Sequence, residues 1–132
     1  NYDPAYLCGR LFAFYEYVQC KAAKNINRSI KDSSFAITMK YPAKKFAKLN
    51  QLYTHHIKRV EQKYQPYYQK IIEEIMSKFD GCVPEHLNEA DQAKFVLGYY
   101  HQREYFFTPA AQKQTGEEAM TEEDMVLTQS KE

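Results

Sequence analysis

Pro42-Ala43-Lys44-Lys45-Phe46-Ala47-Lys48-Leu49-Asn50-Gln51-Leu52-Tyr53-Thr54-His55-His56-Ile57-Lys58-Arg59-Val60 is the stretch that decides the fold class. Phe46, Leu49, Tyr53, His56 and Val60 recur at alternating threes and fours, and Leu52 and Ile57 widen the stripe. That period belongs to a helix with one buried face. Pro42 suits its first turn, where its missing N–H costs nothing. The lysines between the apolar positions must then project from the other sides.

Outward from this helix, the remaining prolines at 4, 66, 84 and 109 punctuate the chain. Asp3-Pro4 reads as an N-cap followed by the first helical residue. Leu7, Leu11, Phe14, Val18 and Ala22 then form one apolar face of a helix running to about Ala23. Pro66 either kinks the helix that starts at Pro42 or opens a new one. Tyr68, Ile71, Ile72, Ile75, Met76 and Phe79 make the face that follows, and Asp80-Gly81 ends it, with Gly81 as a left-handed cap. Asn88 caps the last core helix, with Asp91 three residues on, and Ala93, Val96, Leu97, Tyr100 and Phe107 are its apolar positions. Gly98 in mid-helix is tolerable where another helix approaches closely. Ile30, Phe35 and Ile37 are expected to reach back to the core. The expected fold is all-α. It is a bundle of four main helices with a short helix or loop at 26–38. Residues 1–108 form the bundle and 109–132 a flexible acidic tail.

Composition agrees with this class. Among 132 residues there are only four Gly and five Pro, too few for the turns of a sandwich or barrel. Leu, Ile, Val and Phe are sparse, and twelve Tyr supply the missing ring area. No apolar run is long enough to span a bilayer, and nothing at the start reads as a secretory signal. Three Cys without a close pair fit free thiols in a reducing cytoplasm.

The formal net charge of +1 hides a partition. Residues 21–63 hold eleven Lys and Arg against Asp32 and Glu61, a net of +9, whereas the segment from 109 nets −4. Such a concentration is the footprint of a polyphosphate ligand. Arg28, Lys31, Lys40, Lys44, Lys45, Lys48, Lys58 and Arg59 are the candidate phosphate contacts. They would act without base readout. The bland alternative is a solvated helix face beside a polar loop.

Catalytic and metal chemistry find little purchase. His55 and His56 diverge by about 100° on one helix and do not face one metal. His56 falls on the apolar stripe and reads as a core histidine. No His-x3-His, Cys-x2-Cys, Gly-x-Ser-x-Gly or glycine-rich phosphate loop is present. Cys8 and Cys20 read as packing groups, Cys82 as a loop thiol, and Glu73-Glu74 diverge. No enzymatic activity, metal or cofactor is expected. In the aromatic cluster from Phe95 to Phe107, His101, Arg103 and Tyr99 are weaker candidates for a partner interface.

Leu97-Gly98-Tyr99-Tyr100-His101-Gln102-Arg103 followed by Phe106-Phe107 resembles the end of the large-subunit protein of subtype I-C CRISPR Cascade. Leu7-Cys8-Gly9-Arg10-Leu11-Phe12-Ala13, Ile26-Asn27-Arg28-Ser29-Ile30-Lys31-Asp32, and Tyr41-Pro42-Ala43 with His55-His56 are similar to further stretches of that family, in the same order, over roughly residues 4–108. Ser33-Ser34 and Met39-Lys40 depart from it, and the acidic tail has no counterpart. In that family the C-terminal helical domain is also made separately as the small subunit, which this chain resembles. The resemblance implies a non-catalytic subunit of a cytoplasmic surveillance complex, present in more than one copy. Its implied partners are the backbone and large subunits, the DNA strand of the R-loop and the guide RNA. A helical spacer between subunits, with no direct nucleic-acid contact, is the alternative.

Overall fold

A computed structural model describes residues 3–22 and 30–111, with the side chains of the second stretch from Ser34 onward. Among the described residues five α-helices of more than ten residues follow one another: α1 (Pro4–Ala22), α2 (Ile30–Lys40), α3 (Pro42–Arg59), α4 (Gln65–Ser77) and α5 (Glu89–Phe106). A short 3-10 turn, Gln62–Tyr64, joins α3 to α4. There is no strand among the described residues, so the chain is an all-α bundle. The 26–38 region resolves in favour of a helix from Ile30, and 23–29 lies outside the described residues, as do residues 112–132 of the expected 109–132 tail; its first three residues, 109–111, are helical, with Ala111 buried against the bundle.

The start signals work as their chemistry requires. Asp3 Oδ1 accepts the Ala5 N–H at 2.8 Å and caps α1. Asn88 Oδ1 accepts the Asp91 N–H at 2.8 Å and caps α5. Pro66 opens α4 rather than kinking α3, because α3 has already stopped at Val60, whose backbone turns extended. The end of α4 differs from expectation. It stops at Ser77, with the Lys78 N–H donated to the Ile75 and Met76 carbonyls. Gly81, at φ +103°, serves the following turn instead.

α1 is the hub. Every residue from Leu11 to Lys21 is buried, including Glu16 and Gln19, because α2, α3, α4 and α5 all pack against it. The expected single apolar face is therefore too narrow. A helix apolar nearly all round is a central one. Its closest neighbour is α5. A Cβ on Gly9 would run into the backbone of Phe95 and Tyr99, and one on Gly98 into the backbone of Tyr6. The two glycines thus let the two backbones touch at two successive points. Aromatic rings fill the space around this crossing. Phe12 meets Phe35 at 5.4 Å and Tyr99 at 6.0 Å, and Tyr17 stacks on Phe106 at 4.2 Å.

The buried face of α3 is as read: Phe46, Leu49, Tyr53 and Val60 are in the core, with His56 half-buried at its margin. On α4, Tyr68, Ile71, Ile72 and Ile75 are buried while Met76 is exposed. On α5 the face is different from the expected one. Phe95, Gly98, Tyr99, Gln102, Arg103 and Phe106 point inward, and Leu97 is 51% exposed. Phe35 packs on Phe95 and Tyr99, but Ile37 is 46% exposed and does not reach the core.

Burial pushes the Cys8 and Cys20 thiols from 9.0 up to about 12, Asp3 adding to the effect at Cys8 and Glu16 at Cys20. Burial likewise raises the Tyr15, Tyr67 and Tyr99 phenols well above their ordinary value. These groups favour the folded state while they stay protonated. Their contribution is complete below about pH 8 and is lost as the thiols and then the phenols of the unfolded chain ionise above it. Thermal melts should therefore show Tm falling by about 5 °C between pH 8 and pH 10. A Tm that stayed flat over that range would contradict the burial of these thiols and phenols.

Candidate nucleic-acid interface

The side of α3 opposite its apolar stripe carries the site. Lys44, Lys48, Gln51, His55 and Lys58 are spaced four, three, four and three residues apart, all exposed, with Arg59 exposed beside them. At 100° per residue these side chains leave the helix in nearly one direction, and the line from Lys44 to Arg59 is about 22 Å long. The sequence places cations there because the core-facing positions of the same helix are taken by Phe46, Leu49 and Tyr53.

Lys40, exposed at the end of α2, and half-buried Lys45 extend the line around the α2–α3 corner. Among the described residues, none of Lys40, Lys44, Lys45, Lys48, Lys58 and Arg59 pairs with a carboxylate. Cations elsewhere do. Arg10 reaches Glu74 at 3.4 Å, Lys63 reaches Glu61 at 3.7 Å, and Lys94 reaches Asp3 at 3.0 Å. The α3 face thus keeps its positive potential uncompensated. His56 adds nothing to it at neutral pH, since burial, reinforced by Arg59 and His55, holds its imidazole below the ordinary value and therefore neutral. Arg28 lies outside the described residues. Lys31 is on α2, with its side chain outside them too.

The weaker partner-interface candidates separate. His101 is exposed, and its Nδ1 lies 2.8 Å from the Tyr6 hydroxyl. Tyr99 is 0% exposed and donates its hydroxyl to Glu16 Oε1 at 2.6 Å, so it is a core residue and not a contact surface. Arg103 is 8% exposed, with Nε buried and unpartnered, and is likewise withdrawn from the surface. The cause is shared: the Gly98 notch turns this side of α5 onto α1.

A polar hollow of about 330 Å³ lies where α1, α4 and α5 meet, lined by Tyr6, Arg10, Glu74, His101, Gln102 and Tyr105. Its guanidinium is already engaged, because Arg10 Nε donates to Gln102 Oε1 at 2.9 Å. Cys8 and Cys20 are buried, and Cys82 is exposed in the α4–α5 connection. Among the described residues no group of three His, Cys, Asp or Glu is placed to hold a metal ion, and no helix is long and apolar enough to cross a membrane.

Sequence reasoning passed over one feature of this face. Tyr41, at the corner between α2 and α3, is 44% exposed, and its ring meets the His86 ring at 5.5 Å. The only signal was a tyrosine directly before a helix-opening proline, flanked by Lys40, Lys44 and Lys45.

The fold and the face define a helical module that offers an unpaired line of cations on one side and close-packed aromatic rings within. The chain belongs to the CRISPR-associated protein (Cas_Csd1) family, whose model matches residues 1–107. It is thus a Cascade-related subunit of the subtype I-C kind. No curated protein matches it.

Proposed function

We propose that the chain is a non-catalytic architectural subunit of a cytoplasmic CRISPR surveillance complex, equivalent to the subtype I-C small subunit. In this reading it packs along the guide-RNA backbone assembly, in more than one copy, and holds a DNA strand to stabilise the R-loop. Sequence reading then stays with the guide RNA. The observation that carries this is the unpaired cationic line of α3, Lys44, Lys48, Lys58 and Arg59, joined at the corner by Lys40 and Lys45. Contacts from lysine and arginine to phosphate oxygens fix a strand's position and carry no sequence information.

The test is fluorescence anisotropy of a labelled single strand across a salt series. Four to six phosphate contacts should give a log–log slope of about −3 to −4, at roughly −0.7 per contact on single strand. A weak response with no salt dependence would overturn the reading. Half-exposed Leu97 on α5 supports the second reading, a spacer that binds only protein. That reading expects capture of the backbone subunits to survive nuclease and high salt while DNA affinity is absent.

A further inference from the structure

The corner between α2 and α3 does more than present lysines. Its tip is Tyr41, flanked on one side by a hollow of about 410 Å³ lined by Ile37, Tyr41, Lys44 and Lys45. Ile37 and Tyr41 are both large, apolar in their bodies, and close to half exposed. Behind Tyr41 stands the His86 ring, tilted 51° to it. On the other flank Tyr41, Ala43, Lys44 and Glu85 line a second hollow, so one carboxylate limits where a phosphate can sit.

This corner is held rigid. The Tyr41 N–H donates to the Ile37 carbonyl at 2.9 Å. The connection after α4 is tied on by two further backbone bonds, Ala43 N–H to the Pro84 carbonyl and Leu87 N–H to the Lys40 carbonyl, each 3.0 Å. Buried Leu87 anchors that connection to the core. A ring presented on a fixed backbone loses little freedom when something stacks on it.

Phosphate contacts alone treat duplex and single strand alike in kind. An exposed aromatic ring on a hydrogen-bonded corner, with an apolar neighbour and ammonium groups on its rim, is different. It suits a flat, unpaired base whose flanking phosphates lie toward the lysines. A paired base keeps its faces stacked inside the duplex and has none to offer. We propose that Tyr41, with Ile37 beside it and His86 behind it, is a stacking platform that seats one unpaired DNA base. Lys40, Lys44 and Lys45 hold the phosphates on either side of that base. This deepens the strand-holding reading and rests on it. It makes the α3 line selective for single strand over duplex.

The experiment uses the full chain and a thymidine oligonucleotide carrying one 2-aminopurine, with a strand of the same length that is abasic at every position. Binding of the wild type should quench the 2-aminopurine fluorescence. Tyr41→Ala should weaken single-strand binding about tenfold without changing the salt slope, and Tyr41→Phe should retain affinity within about twofold. The abasic strand should bind the wild type about tenfold more weakly, yet bind wild type and Tyr41→Ala alike. If Tyr41→Ala binds as wild type does while the wild-type slope stays near −3 to −4, the platform is wrong and the phosphate face stands. If the wild type shows no salt-dependent binding, both readings fall together.

Discussion

Gly98→Val should lower the melting temperature by about 10 °C or more, equivalent to about 3 kcal/mol for a chain of this length. The Cβ that valine adds meets the Tyr6 backbone, and behind Tyr6 lies the buried length of α1. A flexible side-chain tip could step aside, but a backbone carbonyl in a helix cannot move without carrying its turn with it. The two helices must then separate, and Gly9, notched against Phe95 and Tyr99 one turn away, loses its seat as well. Gly98→Ala gives the sharper test of sign. In an ordinary exposed helix that change stabilises by about 1 kcal/mol; here it should destabilise. Gly81→Ala is the internal control. Nothing lies near its Cβ, and only its φ of +103° resists a side chain, so about 1 kcal/mol should be lost. Thermal denaturation followed by circular dichroism ranks the three. A Gly98→Val protein melting within 2 °C of wild type would contradict the close crossing.

The triple reversal Lys44→Glu, Lys45→Glu and Lys48→Glu should reduce single-strand affinity at low salt on the order of 100-fold. It should also flatten the salt slope by about 2, since three phosphate contacts are lost at roughly 0.7 each. The loss should be similar for every base sequence, because phosphates carry none of the sequence information. None of the three lysines pairs with a carboxylate among the described residues, so removing them strands no buried partner. The melting temperature should therefore stay within a few degrees of wild type. This separates the reversal from Gly98→Val, which acts on the fold. Unchanged binding at low salt would mean that the α3 face is not the strand-holding surface. The Tyr41→Ala change falls between these cases, lowering affinity while leaving the slope intact.

The candidate site was legible to unequal degrees. The cationic line of α3 was readable because charge and hydrophobic period sit on the same nineteen residues, so the buried stripe dictates where the lysines go. Tyr41 was not. A lone tyrosine before a proline looks like any turn residue until the connection around Pro84 and Leu87 is seen tied beneath it. Tyr99 and Arg103 were misplaced for the opposite reason: they belong to a segment so rich in rings that every face of it looks ready for a partner.

Local chemistry by itself determined the helical class, the caps at Asp3 and Asn88, the buried face of α3 and the concentration of positive charge. These depend on residues within a few positions of one another, where spacing and side-chain type leave a single arrangement. Which face of α5 is buried needed the tertiary structure. Between Ala93 and Phe107 two stripes satisfy the helical period, one through Leu97 and Tyr100 and one through Phe95, Tyr99 and Phe106. Gly98 chooses between them, because only with its missing side chain against Tyr6 do the two backbones meet, and that contact rotates Tyr99 onto Glu16 and leaves Leu97 outside. A glycine's lack of a side chain has a direction only when a second helix is there to fill it.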